Sequence, residues 1–395
     1  MVEARHDHAP NHVSMSEVME ELKLMRRLCL PISALNLLHY VKSMVTVLCM
    51  GRLGRAELAG GALAVGLTNV TGYSVLSGLA LGLEPLAGQA LLLPARVYLR
   101  SKGEPGRLTP CMALAVALHA PATVYLSLRL RVPGVAMATC MTNFATLAFL
   151  WISLTWAPAQ KEPDEPTDLA EWAAMAHSAK WAELLRLSLP SCLSVCLEWW
   201  WYELMTIAAG YLRDPHTSLA AAGIIIQTTS LLYTIPITLS SAVSARVANE
   251  LGAGRPRSAH ISFMVAMGLA MVGSCAGLTW TTLGRQLWVH VFTEDPTVQS
   301  LTTSVLPVIG LCELANCPQT TGCGVLRGSA RPAVGAGINL CSFYLVGAPV
   351  ALVLAFGLDM GFWGLCIGLL SAQIMVIVEK KREKLVVGLT TRRMI

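Results

Sequence analysis

The residues of this sequence best suited to chemistry are carboxylates set in stretches that otherwise carry no charge. Between Arg186 and Arg213 the only charged residues are Glu198 and Glu203, within LEWWWYELMTIAAGYL, Leu197 to Leu212. The surrounding apolar run begins at Leu187 and, at about 1.5 Å per helical residue, is long enough to cross a hydrocarbon core of roughly 30 Å. A carboxylate in such a run is costly, faces protein or a wet cavity, and marks an ion or substrate path. The chemistry available is reversible proton binding, because withdrawal from water favours the neutral acid. The bland alternative is a polar contact that locks one helix on its neighbour. Five positions turn a helix by about 140°, so Glu198 and Glu203 cannot form a facing pair. Glu313, the only charge between Asp295 and Arg327, is read in the same two ways.

Several weaker candidates accompany these three. Pro307 and Pro318 flank Glu313 and are expected to interrupt its helix and free carbonyls, as in the broken helices of transporters. The aromatics from Trp199 to Tyr202 could stack on a flat organic substrate or a cation, or serve only packing and interface anchoring. Lys42 lies inside the first apolar run, three positions after His39, and either snorkels outward or pairs with a carboxylate. Asn69, Thr71 and Tyr73 could line a cavity or make interhelical hydrogen bonds. Glu84 and Gln89 read as shaping a helix end. GCGVLRGS, 322–329, follows no strand, so it fails as a nucleotide-binding loop and reads as a tight basic turn.

The elements that must position these groups are membrane helices. Of 395 residues, 54% are hydrophobic and 13% charged, below the charged fraction of about 25% usual in soluble domains. Ten charge-poor runs are expected to span, near 28–50, 58–83, 108–128, 133–156, 187–212, 217–245, 261–283, 303–325, 333–356 and 361–378. Residues 1–27 form a polar tail containing SEVMEELKLMRR, which reads as an amphipathic helix at the membrane surface. No signal-peptide core precedes the first span, which is expected to act as its own insertion signal.

Lys and Arg fall mostly in alternate loops, for example Arg26, Arg27, Arg96, Arg100, Arg255, Arg257, Arg327, Arg331 and Lys380. That bias places both termini in the cytoplasm. The net charge of +5 therefore reads as topology and not as a nucleic-acid surface. The twelve cysteines show no CxxC pair and no zinc spacing, so small apolar packing is their expected role and no metal site is expected. No nucleophile stands with a base, so an enzyme is not expected, nor is a cofactor.

The longest polar stretch, containing KEPDEPTD, divides the chain. The expected organisation is an N-terminal lobe at 28–157, a cytoplasmic linker at 158–183, a C-terminal lobe at 184–378 and a cytoplasmic tail at 379–395. The halves repeat one plan: Leu30-Pro31 answers Leu189-Pro190, Leu58-Ala59 answers Leu219-Ala220, and Gly88-Gln89 answers Asn249-Glu250 at the same spacing. In this register His39 answers Glu198. The second half carries six spans and the first only four, and the discontinuity falls at GQALLLPARVYLRSKG, Gly88 to Gly103.

Four stretches resemble a known family in order and in detail: GRLGRAELAGGALAVGLTNVTGYSVLSGLALGLEPLAGQA, LEWWWYELMTIAAGYL, QTTSLLYTIPITLSSAVSARVANELGAGRP and ELANCPQTTGCGVLRGSARP. The chain is similar to plant members of the multidrug and toxic compound extrusion (MATE) transporters. The resemblance implies an all-α integral membrane fold, a two-lobe bundle of repeated six-helix units, here with about ten helices and an incomplete N-lobe. It further implies export of small organic solutes by exchange with a proton gradient in preference to sodium. It assigns the coupling carboxylates of the seventh and tenth family helices to Glu198, Glu203 and Glu313. The family's third helix and most of the fourth have no counterpart between Ala90 and Leu93. The implied assembly is a monomer in the lipid bilayer, plasma, vacuolar or Golgi; the alternative is a non-transporting form, inert or associated with a full-length relative.

Overall fold

A computed structural model describes residues 14–53, 60, 108–156 and 178–391. Within them every long element is a helix: α1 Met15–Leu53, α2 Leu108–Leu130, α3 Val132–Trp156, α4 Ser178–Ala209, α5 Pro215–Gly252, α6 Pro256–Leu283, the short α7 Arg285–Phe292, and α8 Pro296–Gly328. The next crossing is composite, with α9 Pro332–Asn339, a π-helical turn π1 Leu340–Gly347, α10 Ala348–Leu352 and a second π-helical turn π2 Val353–Gly357. The last helix is α11, Phe362–Thr391. Nine of the ten expected spans are therefore helices. The second, near 58–83, lies outside the described residues, as do the segment 88–103 and most of the linker. Six of the described helices are long and apolar enough to cross a membrane.

Helix starts follow simple local signals. Asp214-Pro215 and Asp295-Pro296 open α5 and α8: each aspartate accepts a hydrogen bond from a first-turn backbone N–H, Thr217 at 3.3 Å and Thr297 at 2.9 Å, and proline needs none there. At the opposite end Arg255-Pro256 and Arg331-Pro332 open α6 and α9. The turn before Arg255 closes through Gly254 at φ +69°, a left-handed conformation that glycine takes without penalty.

Packing is carried by small residues, as it must be where lipid is as apolar as leucine. Gly324 and Gly328 on α8 lie against Ser240 and Ser244 on α5, so close that a Cβ on Gly324 would stand 2.2 Å from the Ser240 carbonyl oxygen. Gly364 and Gly368 on α11 similarly meet Ala355 in π2 and Ala351 on α10. Around them, Trp201, Met205, Ile225, Ile309, Phe343, Leu365 and Leu369 form the main apolar core.

Three sequence expectations change. GCGVLRGS is not a turn: its residues through Gly328 complete α8, and the reversal falls at Ser329 to Arg331. The glycines serve helix contact instead. Pro307 and Pro318 do not break their helix, since α8 is continuous from Pro296 to Gly328. Neighbouring hydroxyls bond carbonyls along it, Ser274 Oγ to Glu313 O at 3.0 Å and Ser240 Oγ to Thr320 O at 2.7 Å, as nearby helices do for proline-containing membrane helices. Finally, the segment read as a surface helix continues α1 without a break. There Arg246 on α5 donates through Nε and Nη2 to the two carboxylate oxygens of Glu21 at 2.9 and 2.7 Å and also pairs with Glu250 at 2.9 Å. Met25, fully buried, packs with Val243, Val247 and Val265.

The small-residue contact predicts that Gly324→Ala lowers the denaturation midpoint in detergent, a cost of about 1–3 kcal/mol for overpacking. Gly337→Ala, where a Cβ meets nothing within 4 Å, is expected to leave the midpoint unchanged or slightly raised.

Candidate functional site

Glu198 on α4 and Glu313 on α8 are buried acids on helices that neighbour each other in the fold. Glu198 is 6% exposed and Glu313 3%. Glu198 Oε1 accepts from Thr320 Oγ1 at 3.4 Å, and Thr320 is itself on α8, two turns beyond Glu313. Glu313 accepts from Asn316 Nδ2 at both oxygens, at 3.2 and 3.1 Å. The two carboxylates lie within electrostatic reach of each other and of the Tyr202 hydroxyl, and Glu198 also reaches the Tyr233 hydroxyl on α5. Trp199 lies beside that tyrosine.

A polar layer adjoins this cluster toward the Arg-Pro ends of the helices. Gln319 Nε2 donates to Asn339 Oδ1 at 2.8 Å, and Asn339 Nδ2 donates to the Ser194 carbonyl at 2.9 Å. Ser194 lies one turn before Glu198, so α4, α8 and α9 are tied together beside the acids. Nearer the ends, Arg327 Nη2 donates to Ser240 Oγ at 2.8 Å. Close approach of α6 is set by small residues: a Cβ on Gly310 of α8 would meet Thr281 Oγ1, and one on Gly277 would reach Glu313 Cβ at 3.7 Å.

The other expected positions fall in different places. Glu203 is buried, 8% exposed, on a face of α4 turned about 140° from Glu198. Trp201 is a packing residue: its ring stands 5.9 Å from Phe343 and 6.5 Å from Tyr344, centroid to centroid. Lys42 is on α1, 9% exposed, within electrostatic reach of His119 on α2. Asn69, Thr71, Tyr73, Glu84 and Gln89 lie outside the described residues. Among the described residues no group of three or more His, Cys, Asp or Glu could hold a metal ion. Asn316, Thr320 and Tyr233 enter the cluster although nothing in the sequence separates them from ordinary interhelical polar residues. For Asn316 the one usable signal is its place one turn after a lone membrane glutamate.

With that geometry in hand, comparison with known proteins is decisive. The MatE family model matches residues 31–91 and 190–353, more than half of the chain. The chain belongs to the MATE family. It is 45% identical over 455 positions to Protein DETOXIFICATION 55 of Arabidopsis thaliana, covering 96% of this chain and 90% of that protein. It is 40% identical to Protein DETOXIFICATION 51 of the same plant, over 91% and 79% of the two chains. The crystal structure of the eukaryotic MATE transporter AtDTX14 superposes with a TM-score of 0.81 at 25% identity, over 92% of this chain and 95% of that one. MATE proteins are transporters of small organic solutes in a membrane, not enzymes. The 455-position alignment is longer than this 395-residue chain, so the relative carries residues that this member lacks. The first matched block ends at 91, inside the segment 88–103 where the sequence leads one to expect the discontinuity between the halves.

The Asn316 contacts predict that Asn316→Leu destabilises the folded protein in detergent at neutral pH by about 1.5–3 kcal/mol, the range for hydrogen bonds to a charged acceptor. Asn316→Leu combined with Glu313→Gln is expected to recover part of that loss, because the two effects are not additive. A midpoint equal to wild type in Asn316→Leu would remove Asn316 from the site.

Proposed function

We propose that this MATE protein is a proton-coupled antiporter that exports organic solutes, with Glu198 and Glu313 as the coupling pair and Glu203 as a further carboxylate of the same helix. The observation that carries this reading is two buried acids on α4 and α8 within electrostatic reach of each other, Glu198 accepting from Thr320 and Glu313 from Asn316. Burial makes each anion costly and their mutual repulsion adds to that cost, so a proton or a cationic solute relieves the pair. Binding of one then weakens binding of the other, and coupling follows from that exclusion.

Tyr202 and Trp199 beside the acids supply aromatic faces for a flat or cationic organic molecule. Substrates of this chemistry include alkaloid-like cations and phenolic compounds. The arginines at the Arg-Pro helix ends support a cytoplasmic placement of those ends and of both termini. The tight tie of α4, α8 and α9 through Gln319, Asn339 and Ser194 supports movement of the C-terminal bundle as a unit during alternating access.

The excess length of the aligned relative over this chain favours a second reading, that this shortened member does not transport alone and works only beside a full-length relative. Purified protein in vesicles distinguishes the two. Uptake of radiolabelled tetraethylammonium and of a labelled flavonoid is measured with an imposed pH gradient. The proposal expects gradient-driven uptake of at least one compound, reduced to that of protein-free vesicles by Glu313→Gln and Glu198→Gln. Uptake indifferent to the gradient refutes proton coupling, and uptake that appears only on co-reconstitution with a full-length relative supports the second reading.

A further inference from the structure

A second buried titratable group stands apart from the carboxylates, in the bundle of α1, α2 and α3. His119 on α2 is 1% exposed, and its surroundings are hydroxyl groups. Nδ1 lies 2.7 Å from Thr142 Oγ1 on α3, Nε2 lies 3.2 Å from Thr46 Oγ1 on α1, and Thr123 Oγ1 stands 3.3 Å from Nε2. A hydroxyl has one proton to give, so where that proton goes decides what the imidazole meets. Each of these three threonines donates to the backbone carbonyl four residues earlier: Thr142 to Ala138 at 2.8 Å, Thr123 to His119 itself at 2.7 Å, and Thr46 to Lys42 at 3.2 Å. While those bonds hold, the hydroxyls offer lone pairs to the ring, and a hydroxyl that turns its proton to a ring nitrogen releases its carbonyl. The Lys42 and Ala138 carbonyls also lie within hydrogen-bonding reach of the ring.

A neutral imidazole has one N–H and one bare nitrogen, and a bare nitrogen facing lone pairs is unsatisfied. An imidazolium has two N–H groups and satisfies both sides. The hydroxyls can serve either state, the charged ring while they donate to their carbonyls and the neutral ring when one turns to the bare nitrogen; burial and the Lys42 ammonium on α1, within electrostatic reach, oppose the charge. The other charged and titratable groups along the membrane stretches of these helices include Tyr40, Cys49 and Arg52 on α1 and Cys111 and Arg129 on α2. On α1, His39 lies three positions before Lys42. α3 carries no charged residue, and its one cysteine, Cys140, is exposed. On α2, Tyr125 is 61% exposed and turned outward.

We propose that His119 is a reversible proton site of the N-terminal bundle, switched by the Thr46 hydroxyl. In the charged state Nδ1–H donates to Thr142 and Nε2–H donates to Thr46. When the Nε2 proton is lost to water in equilibrium with the bulk pH, the Thr46 hydroxyl turns from the Lys42 carbonyl, the longest of the three threonine bonds, and donates to the bare nitrogen. Nδ1–H stays with Thr142 throughout. One proton is gained or lost, and no other bond to hydrogen is broken without replacement at the ring. The site goes beyond the carboxylate mechanism and stands or falls without it.

The test is ¹⁵N NMR of the full chain, labelled at its nine histidines, purified through a histidine-free tag and held in lipid nanodiscs. His119 is assigned by the signals lost in His119→Gln, or, if that variant does not fold, by those displaced in Thr142→Ser. The expected result is two protonated nitrogens at about pH 5 and a single Nδ1–H tautomer at about pH 8, with the transition altered in Thr46→Val, which cannot turn a proton toward the ring. A His119 that keeps one state across that range overturns the proposal, whether the state is the neutral ring of a core histidine or a permanent cation. Transport by the carboxylates does not enter the readout, so failure here leaves that reading untouched.

Discussion

A carboxylate inside a membrane-spanning helix must find polar company, and in this protein that requirement shapes the C-terminal bundle. Glu198 and Glu313 sit on helices far apart in sequence and fall in one neighbourhood with Asn316, Thr320, Tyr202 and Tyr233. Holding donors at that point requires backbones to approach closely. Gly324 and Gly328 allow it between α5 and α8, Gly310 and Gly277 between α6 and α8, and Gly364 and Gly368 between α11 and α10. The small residues are thus not incidental composition. They set the distance at which a polar side chain on one helix can satisfy an acid or a carbonyl on the next.

What was legible in the sequence follows from the same physics. Apolar runs long enough to cross a bilayer gave nine described helices close to their expected positions, and the lone acids announced themselves because charge in such a run is rare. The roles of prolines and glycines were not legible. Pro307 and Pro318 look like helix breaks in isolation, yet α8 continues through them, beside hydroxyls that reach its carbonyls from α5 and α6. GCGVLRGS resembles a turn until the Ser240 and Ser244 backbone is seen filling the space its glycines leave. Partners of the acids were also hidden, because Thr320 and Asn316 are ordinary residues whose function depends on what a distant helix places opposite them. His119 could have been flagged by the rule that found the glutamates, since it too is an ionisable group in mid-span.

The described parts of the two bundles differ in chemical character. The C-terminal one gathers acids, while α1 and α2 of the N-terminal one hold a lysine and a histidine among threonines. α1 links them: Asn36 donates to Thr238 on α5 at 3.0 Å, and the Glu21–Arg246 pair fixes its first turns to the C-terminal bundle. Family membership accounts for the shared plan of the halves. The alignment with Protein DETOXIFICATION 55 is longer than the chain, so that relative carries residues that this member lacks.

The central claim, that protons and an organic cation compete for the Glu198–Glu313 pair, is tested most directly by proton release on binding. Tetraethylammonium is titrated into purified protein in weakly buffered detergent solution while the pH is followed. The account predicts proton release that saturates with the bound cation and disappears in Glu198→Gln combined with Glu313→Gln. Binding of the cation with no proton released, or with release undiminished in that double variant, would contradict it.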